Sequence, residues 1–120
     1  MGGDRRCFSR RNRLVKASEY QRVFDQAYRS GSSGFTVLAR ANTCDAPRLG
    51  LVISTRCARR AVDRNRLKRL IRESFRHHTT DLASLDIVVI GKAAAIQQTN
   101  PQLRVKLEEH WKKLEQWARS

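Results

Sequence analysis

Residues 61–76 read AVDRNRLKRLIRESFR, and the apolar and basic side chains of this stretch repeat with the period of an α-helix. On a helical wheel of about 100° per residue with Arg64 at zero, a sector from roughly 240° to 20° holds Leu67, Leu70, Ile71, Ser74, Phe75 and His78. A second sector, from about 40° to 140°, holds Asn65, Lys68, Arg69, Arg72 and Arg76. We therefore predict a helix over residues 59–77 that covers a sheet with its apolar side and offers its basic side to a ligand.

Two further helices are predicted on either side of this one. The first is expected to begin at Ser18, an N-cap residue with Gln21 three positions later, and to end near Arg29. The last is expected to begin at Asn100 as N-cap, with Pro101 in the first helical position. Its apolar stripe consists of Leu103, Leu107, Trp111, Leu114 and either Trp117 or Ala118.

Three apolar segments predict strands. Residues 35–41 and 49–54 are rich in β-branched and apolar side chains and are separated by a polar turn, which is typical of a hairpin. Residues 86–91 form a continuous apolar run, the pattern of a strand in the middle of a covered sheet. We expect this strand to lie beside the hairpin.

The order of these elements predicts an α+β fold, a two-layer sandwich in which helices pack on one mixed sheet. A chain of 120 residues with 40% hydrophobic residues can form one core, so residues 1–120 are expected to form a single domain. The two ends, residues 1–6 and 118–120, are expected to be disordered.

The positive charge is concentrated in two short segments. The chain has 25 Lys and Arg against 11 Asp and Glu, a net charge of +14. Residues 1–16 hold six basic and one acidic side chain (+5), and residues 56–78 hold nine basic and two acidic (+7). Like charges along one helix face repel each other, so we favour a nucleic-acid ligand over a merely solvated face. RNA is preferred to DNA because no helix-turn-helix or zinc finger is recognisable.

Several other function classes do not fit the sequence. No apolar stretch is long enough to span a membrane and no secretory signal is recognisable, so we expect a cytoplasmic protein without a membrane partner. Cys7, Cys44 and Cys57 are odd in number and widely spaced, which predicts reduced, structural thiols. The carboxylates show no clustered spacing, and no nucleophile stands beside a base. We therefore predict no catalytic residue and no metal ligand in this chain.

The helix of residues 61–76 resembles the signature of the bacterial ribonuclease P protein subunit, an Arg-Asn-Arg followed by Lys-Arg and then Arg-Glu. The matching residues are Arg64, Asn65, Arg66, Lys68, Arg69, Arg72 and Glu73. Four flanking blocks follow in family order, namely Phe8 with Arg13 and Leu14, SEYQRVF at 18–24, PRLGLVIS at 47–54 and DIVVIGK at 86–92. The resemblance implies a four-stranded mixed sheet with three helices in the order α-β-β-β-α-β-α and a left-handed βαβ crossover. The fourth strand would be short, near residues 29–33.

The same resemblance implies a function. The family's protein is the small subunit of an RNA enzyme that removes the 5′ leader from precursor transfer RNA, with catalysis by the large RNA and its Mg²⁺ ions. No cofactor bound by the protein alone and no protein partner is then expected. Contacts to the catalytic RNA are implied for Arg64, Asn65, Arg66, Lys68, Arg69 and Arg72. Where the family usually has two lysines after the second long strand, this chain has Thr55 and Arg56, and Arg59 and Arg60 are expected to compensate.

A second surface is implied between the first helix and the sheet, where the family binds the single-stranded leader. Its expected residues are Phe8, Arg13, Tyr20, Phe24, Phe35, Val37 and Arg40. Tyr20 and Phe24 are four residues apart and share a helix face, as a platform for stacked bases requires, although ordinary core packing would give the same spacing. The sequence leaves open which strand face lines this cleft. A ribosomal or assembly protein that binds structured RNA without taking part in cleavage is the alternative function.

Overall fold

A computed structural model describes residues 14, 17–25, 27–42, 46–82 and 84–119. Within these ranges the helices are α1 (Ala17–Asp25), α2 (Ala61–Arg76) and α3 (Asn100–Arg119), with a short 3₁₀ helix at Ala93–Gln97. The strands are β1 (Tyr28–Gly31), β2 (Phe35–Ala41), β3 (Arg48–Val52) and β4 (Leu85–Gly91). The predicted α+β class, the four-stranded mixed sheet and the element order are thus confirmed.

The strands lie in the order β1-β2-β4-β3, so the hairpin predicted between β2 and β3 is wrong. β4 lies between these two strands, antiparallel to β2 and parallel to β3. Its apolar run favours this place because a central strand is buried on both faces, and Ile87, Val88 and Val89 are fully buried. β2 forms its hairpin with β1 instead, which supplies the short fourth strand expected near residues 29–33.

The first helix is shorter than the sequence indicates. It begins at Ala17 and ends at Asp25, so Ser18 lies inside it rather than at its N-cap. Gln21 donates a hydrogen bond to Asp25, one turn later, rather than completing a capping box. Tyr28, which has helical spacing in the sequence, lies in β1 instead, where its ring stacks on Trp117 at 5.1 Å between ring centroids. Pairing with β2 overrides the local helical pattern here.

The sheet buries apolar side chains on both faces. One face, with Phe35 and Val37 at its centre, packs against α2 and α3 and forms the larger core. The other face packs Leu38 and Val88 against Val23 of α1. Two layers, the sheet and its α2–α3 cover, hold most of the core, and α1 adds a partial third layer on the opposite face.

The α3 helix is capped one residue earlier than predicted. The Thr99 hydroxyl accepts a hydrogen bond from the backbone N–H of Gln102, whose side chain accepts one from the N–H of Thr99, so the pair forms a capping box. The predicted stripe is buried as far as Leu114, and Trp117 rather than Ala118 continues it. The helix includes Ala118 and Arg119.

Two titratable groups, His110 and Cys57, are buried inside this core. His110 of α3 is 2% exposed, and its two ring nitrogens hydrogen-bond the hydroxyls of Ser30 (2.8 Å) and Ser32 (2.9 Å). Burial, followed by the charge of Lys113, lowers the pKa of His110 from its ordinary 6.5 to about 4. The Cys57 thiol is free and buried, and burial raises its pKa; Cys7 and Cys44 lie outside the described residues.

No helix within the described ranges is long and apolar enough to cross a membrane.

Candidate nucleic-acid interface

The basic side of α2 is oriented as the sequence predicts. Leu67, Leu70, Ile71, Ser74 and Phe75 are buried. Asn65, Arg69, Arg72 and Arg76 are exposed, and Lys68 is half-buried at the border. Among the described residues none of the cations of α2 forms an ion pair within the chain. This face therefore keeps its full positive charge for a ligand.

The two outer residues of the Arg-Asn-Arg motif differ from these free cations. The Arg64 guanidinium donates to the backbone carbonyls of Ala58 and Arg59, each at 2.9 Å. The Arg66 guanidinium donates to the side-chain oxygen of Asn100 at the start of α3. These acceptors are neutral oxygens, so the two side chains are held in place without an ion pair.

Arg59 and Arg60 precede α2 rather than opening it. The helix begins at Ala61, and Arg60 occupies the N-cap position without a side-chain capping bond. Both side chains are exposed. They extend the basic surface beyond the N-terminal end of α2, which fits the compensating role expected of them without testing it.

A groove of about 790 Å³ separates the basic face of α2 from the outer edge of β3. The α2 wall is formed by Asn65, Lys68, Arg69, Arg72, Glu73 and Arg76. The floor and the opposite wall are largely apolar and include Leu14, Tyr20, Leu49, Leu51 and Phe75. The two surfaces that the sequence treats separately thus meet here, with cations on one side and an aromatic ring on the other.

Tyr20 and Phe24, the predicted aromatic pair, have different surroundings. The Tyr20 ring lies directly over Gly50 of β3, so close that a Cβ atom on Gly50 would stand 2.6 Å from the ring. The ring is half-buried and forms part of the groove wall. Phe24 lies one turn further along α1 with 44% of its surface exposed and lies outside that wall. Core packing explains the buried part of the Tyr20 ring, but it does not explain the exposed position of Phe24.

A buried ion-pair network ties α1 to the sheet below this groove. Arg48 of β3 forms a two-point ion pair with Asp86 of β4, at 2.8 Å from Nε to Oδ1 and 2.7 Å from Nη2 to Oδ2. Its remaining nitrogen, Nη1, contacts Glu19 of α1 at 3.0 Å. The hydrogen bond to Asp86 is the main cause that raises the pKa of Arg48. Since Glu19 immediately precedes Tyr20, this network fixes the aromatic residue relative to the sheet.

Phe35 and Val37 do not line the cleft, contrary to the prediction. Both are fully buried in the larger core on the α2–α3 face of the sheet. Side chains alternate along a strand, so the β2 residues that face α1 are Thr36, Leu38 and Arg40. Arg40 does lie on the α1 side, where it donates a hydrogen bond to the backbone carbonyl of Arg22. The remaining cleft candidates, Phe8 and Arg13, lie outside the described residues.

The structure brings to the groove three residues to which the sequence assigns no contact. Leu51 and Thr79 line it, and Arg76, on the predicted basic face but without an assigned contact, extends the cationic wall. The signal for Arg76 was its place on the helical wheel. No local pattern identifies Leu51, because its exposure follows from β3 being an edge strand.

Comparison with known proteins identifies the family. A family model described as Ribonuclease P matches residues 8–115. The ribonuclease P protein component of Thioalkalivibrio sulfidiphilus is 47% identical over 107 residues, covering 89% of each chain. That of Vibrio cholerae is 44% identical over 113 residues, covering 94% of this chain and 96% of the relative. The chain belongs to the ribonuclease P protein family.

Solved structures of ribonuclease P proteins have the same fold. The RNase P protein of Staphylococcus aureus superposes with a TM-score of 0.78 at 31% identity, covering 88% of this chain and 95% of that one. The RNase P protein of Thermotoga maritima gives 0.76 at 30% identity, covering 86% and 97%. Ribonuclease P proteins act with the ribonuclease P RNA in the 5′ processing of transfer RNA, and this chain is thus part of an endoribonuclease holoenzyme.

Proposed function

We propose that this chain binds the catalytic RNA of ribonuclease P through the basic face of α2 and holds the single-stranded leader of precursor transfer RNA beside α1. The holoenzyme then removes the 5′ leader. The observation that carries this proposal is the groove in which the cations of α2 face the aromatic ring of α1.

The α2 face suits a folded RNA because its cations are close together and free. Lys68 and Arg69 lie on one turn of this helix face and Arg72 on the next, and none is neutralised by a carboxylate among the described residues. An arginine can grip two phosphate oxygens at once. Each neutralised phosphate releases counterions, so binding weakens as salt is added.

The α1 side suits unpaired nucleotides rather than a duplex. Tyr20 offers a half-buried ring at the groove and Phe24 an exposed one a turn away. Aromatic rings stack on bases of any sequence. Only the precursor has a leader, so contacts made here favour the precursor over mature transfer RNA and bias the enzyme toward its substrate.

Catalysis is assigned to the RNA partner and to Mg²⁺ ions held mainly by that RNA. Among the described residues no group of three His, Cys, Asp or Glu side chains is placed to hold a metal ion. The protein raises substrate affinity and helps the RNA fold, and the holoenzyme works in the cytoplasm without a further protein partner.

Two exposed residues test the division of the surface. Arg69→Ala is expected to weaken binding to the catalytic RNA and to flatten the plot of log affinity against log salt by about one unit. Phe24→Ala is expected to weaken holoenzyme binding to the precursor by about 1–3 kcal/mol, the usual contribution of one stacked base, with mature transfer RNA bound as before. If both substitutions reduced precursor and mature binding equally, the proposed leader site would be wrong.

A further inference from the structure

The Arg-Asn-Arg motif contains two kinds of arginine environment. Arg66 projects at about 200° on the helical wheel, well away from the centre of the basic face near 90°. It is half-buried, and its two terminal nitrogens donate to the side chain of Asn100 and, at 3.4 Å, to the backbone carbonyl of Ile96. Arg66 thus connects α2 to the segment that leads into α3.

Arg64 holds the other end of the basic surface. Its Nη1 reaches back to the carbonyls of Ala58 and Arg59, which lie in the irregular segment before α2. That segment has no side-chain capping bond from Arg60. Backbone hydrogen bonds from Asp63 and Arg64 already tie the Arg60 carbonyl to the first turn of the helix, and the Arg64 side chain adds a contact that holds Ala58 and Arg59 against the same turn.

The cations at the centre of the basic face form no side-chain bonds of this kind. Lys68, Arg69 and Arg72 make no side-chain hydrogen bond or ion pair within the described part of the chain. A guanidinium that already satisfies protein acceptors must break those bonds or use its remaining N–H groups to reach a phosphate, whereas a free one gives up only water.

We infer that Arg64 and Arg66 are positioning residues, which fix the segment before α2 and the packing of α2 on α3, while the phosphate contacts are made by Lys68, Arg69 and Arg72. This inference rests on the proposed function and refines it, because it separates residues that shape the basic face from those that neutralise RNA.

Asn100 provides the decisive variant, because Asn100→Ala removes the side-chain acceptor of Arg66, leaves only the longer bond to the Ile96 carbonyl and keeps every cation in place. We would measure affinity for the ribonuclease P RNA at several salt concentrations for Arg66→Ala, Asn100→Ala and Arg69→Ala. The temperature would be one at which circular dichroism shows each variant folded. Arg66→Ala and Asn100→Ala are expected to lower the affinity by a similar factor of about three to ten with the salt slope unchanged. Arg69→Ala is expected to flatten the slope by about one unit without changing the unfolding temperature.

Three results would overturn the inference. The inference fails if Arg66→Ala flattens the slope as Arg69→Ala does, because Arg66 would then be a phosphate contact. The inference also fails if Asn100→Ala leaves the affinity unchanged while Arg66→Ala lowers it, because Arg66 would then act without its bond to Asn100. It fails as well if both variants leave the affinity unchanged, because the pair would then serve fold stability alone. If the wild-type chain bound an unrelated structured RNA as tightly as the ribonuclease P RNA, the proposed function would fail. The comparison of slopes can still be made on that unrelated RNA, so the two failures are distinguishable.

Discussion

Removing the Asp86 carboxylate tests how the site is held on the sheet. Asp86 and Arg48 are almost completely buried, with side-chain exposures of 3% and 8%. Asp86 accepts two hydrogen bonds from Arg48 and a third from Asn42 at 2.8 Å. In Asp86→Ala the buried guanidinium keeps Glu19 as its acidic partner, at the partly exposed end of the network.

The expected cost is large. Breaking a buried pair by removing one partner costs about 3–5 kcal/mol, and Glu19 offsets only part of this cost because it contacts the guanidinium through a single nitrogen at the more exposed end of the network. Glu19 has 18% of its side chain exposed, so Glu19→Gln is expected to cost about 1 kcal/mol or less. At about 4 °C per kcal/mol for a domain of this size, Asp86→Ala lowers the unfolding temperature by about 12–20 °C.

Urea unfolding followed by circular dichroism measures both costs. The double variant Asp86→Ala with Arg48→Met removes both charges, and it is expected to recover most of the stability lost in Asp86→Ala, because a well-packed apolar pair often replaces a buried ion pair at little cost. The reasoning is refuted if Asp86→Ala costs less than about 1 kcal/mol, or if the double variant is less stable than Asp86→Ala.

Two further predictions follow from single contacts. The pKa of His110 is about 4 in the folded protein and 6.5 in the unfolded chain, so the unfolded chain binds the extra proton between these values. The free energy of unfolding should therefore fall by about 3 kcal/mol as the pH drops from 6.5 to 4. His110→Gln should remove this fall in the free energy of unfolding, whereas His77→Gln, at an exposed position, should not. Equal pH dependence of stability in the wild-type chain and both variants would contradict the prediction. Gly50→Ala would place a methyl group 2.6 Å from the Tyr20 ring, so it should displace the ring. Precursor binding should then weaken, while binding to the catalytic RNA stays unchanged. An unchanged affinity for the precursor would show that the ring does not contact the leader.

The helix that carries the basic face could be predicted from the sequence because its two faces are local. A period of 3.6 residues places Leu67 and Arg69 on different sides whatever the rest of the chain does. The same holds for the apolar stripe of α3. The local spacing of apolar and polar residues is enough to predict which side of such a helix is buried.

The pairing of the strands and the face of each strand could not be predicted in this way. β2 and β3 are neighbours in the sequence, yet the apolar β4 separates them in the sheet, and that choice depends on contacts between distant residues. The sequence predicts Phe35 and Val37 on one face of β2 but does not determine which face of the sheet that is, because alternation shows only which residues share a face. The bonds of Arg66 to Asn100 and of Arg48 to Asp86 are equally long-range, 34 and 38 residues apart.

The most direct test is to add the purified chain to the ribonuclease P RNA at low Mg²⁺ and follow cleavage of precursor transfer RNA. A control variant in which Lys68, Arg69 and Arg72 are all alanine removes the free cations of α2 and leaves its buried side unchanged. The wild-type chain is expected to stimulate cleavage at the leader junction, and the control variant is expected to have little effect. No stimulation by the wild-type chain, or equal stimulation by the control, would contradict the claim that this helix face recruits the catalytic RNA.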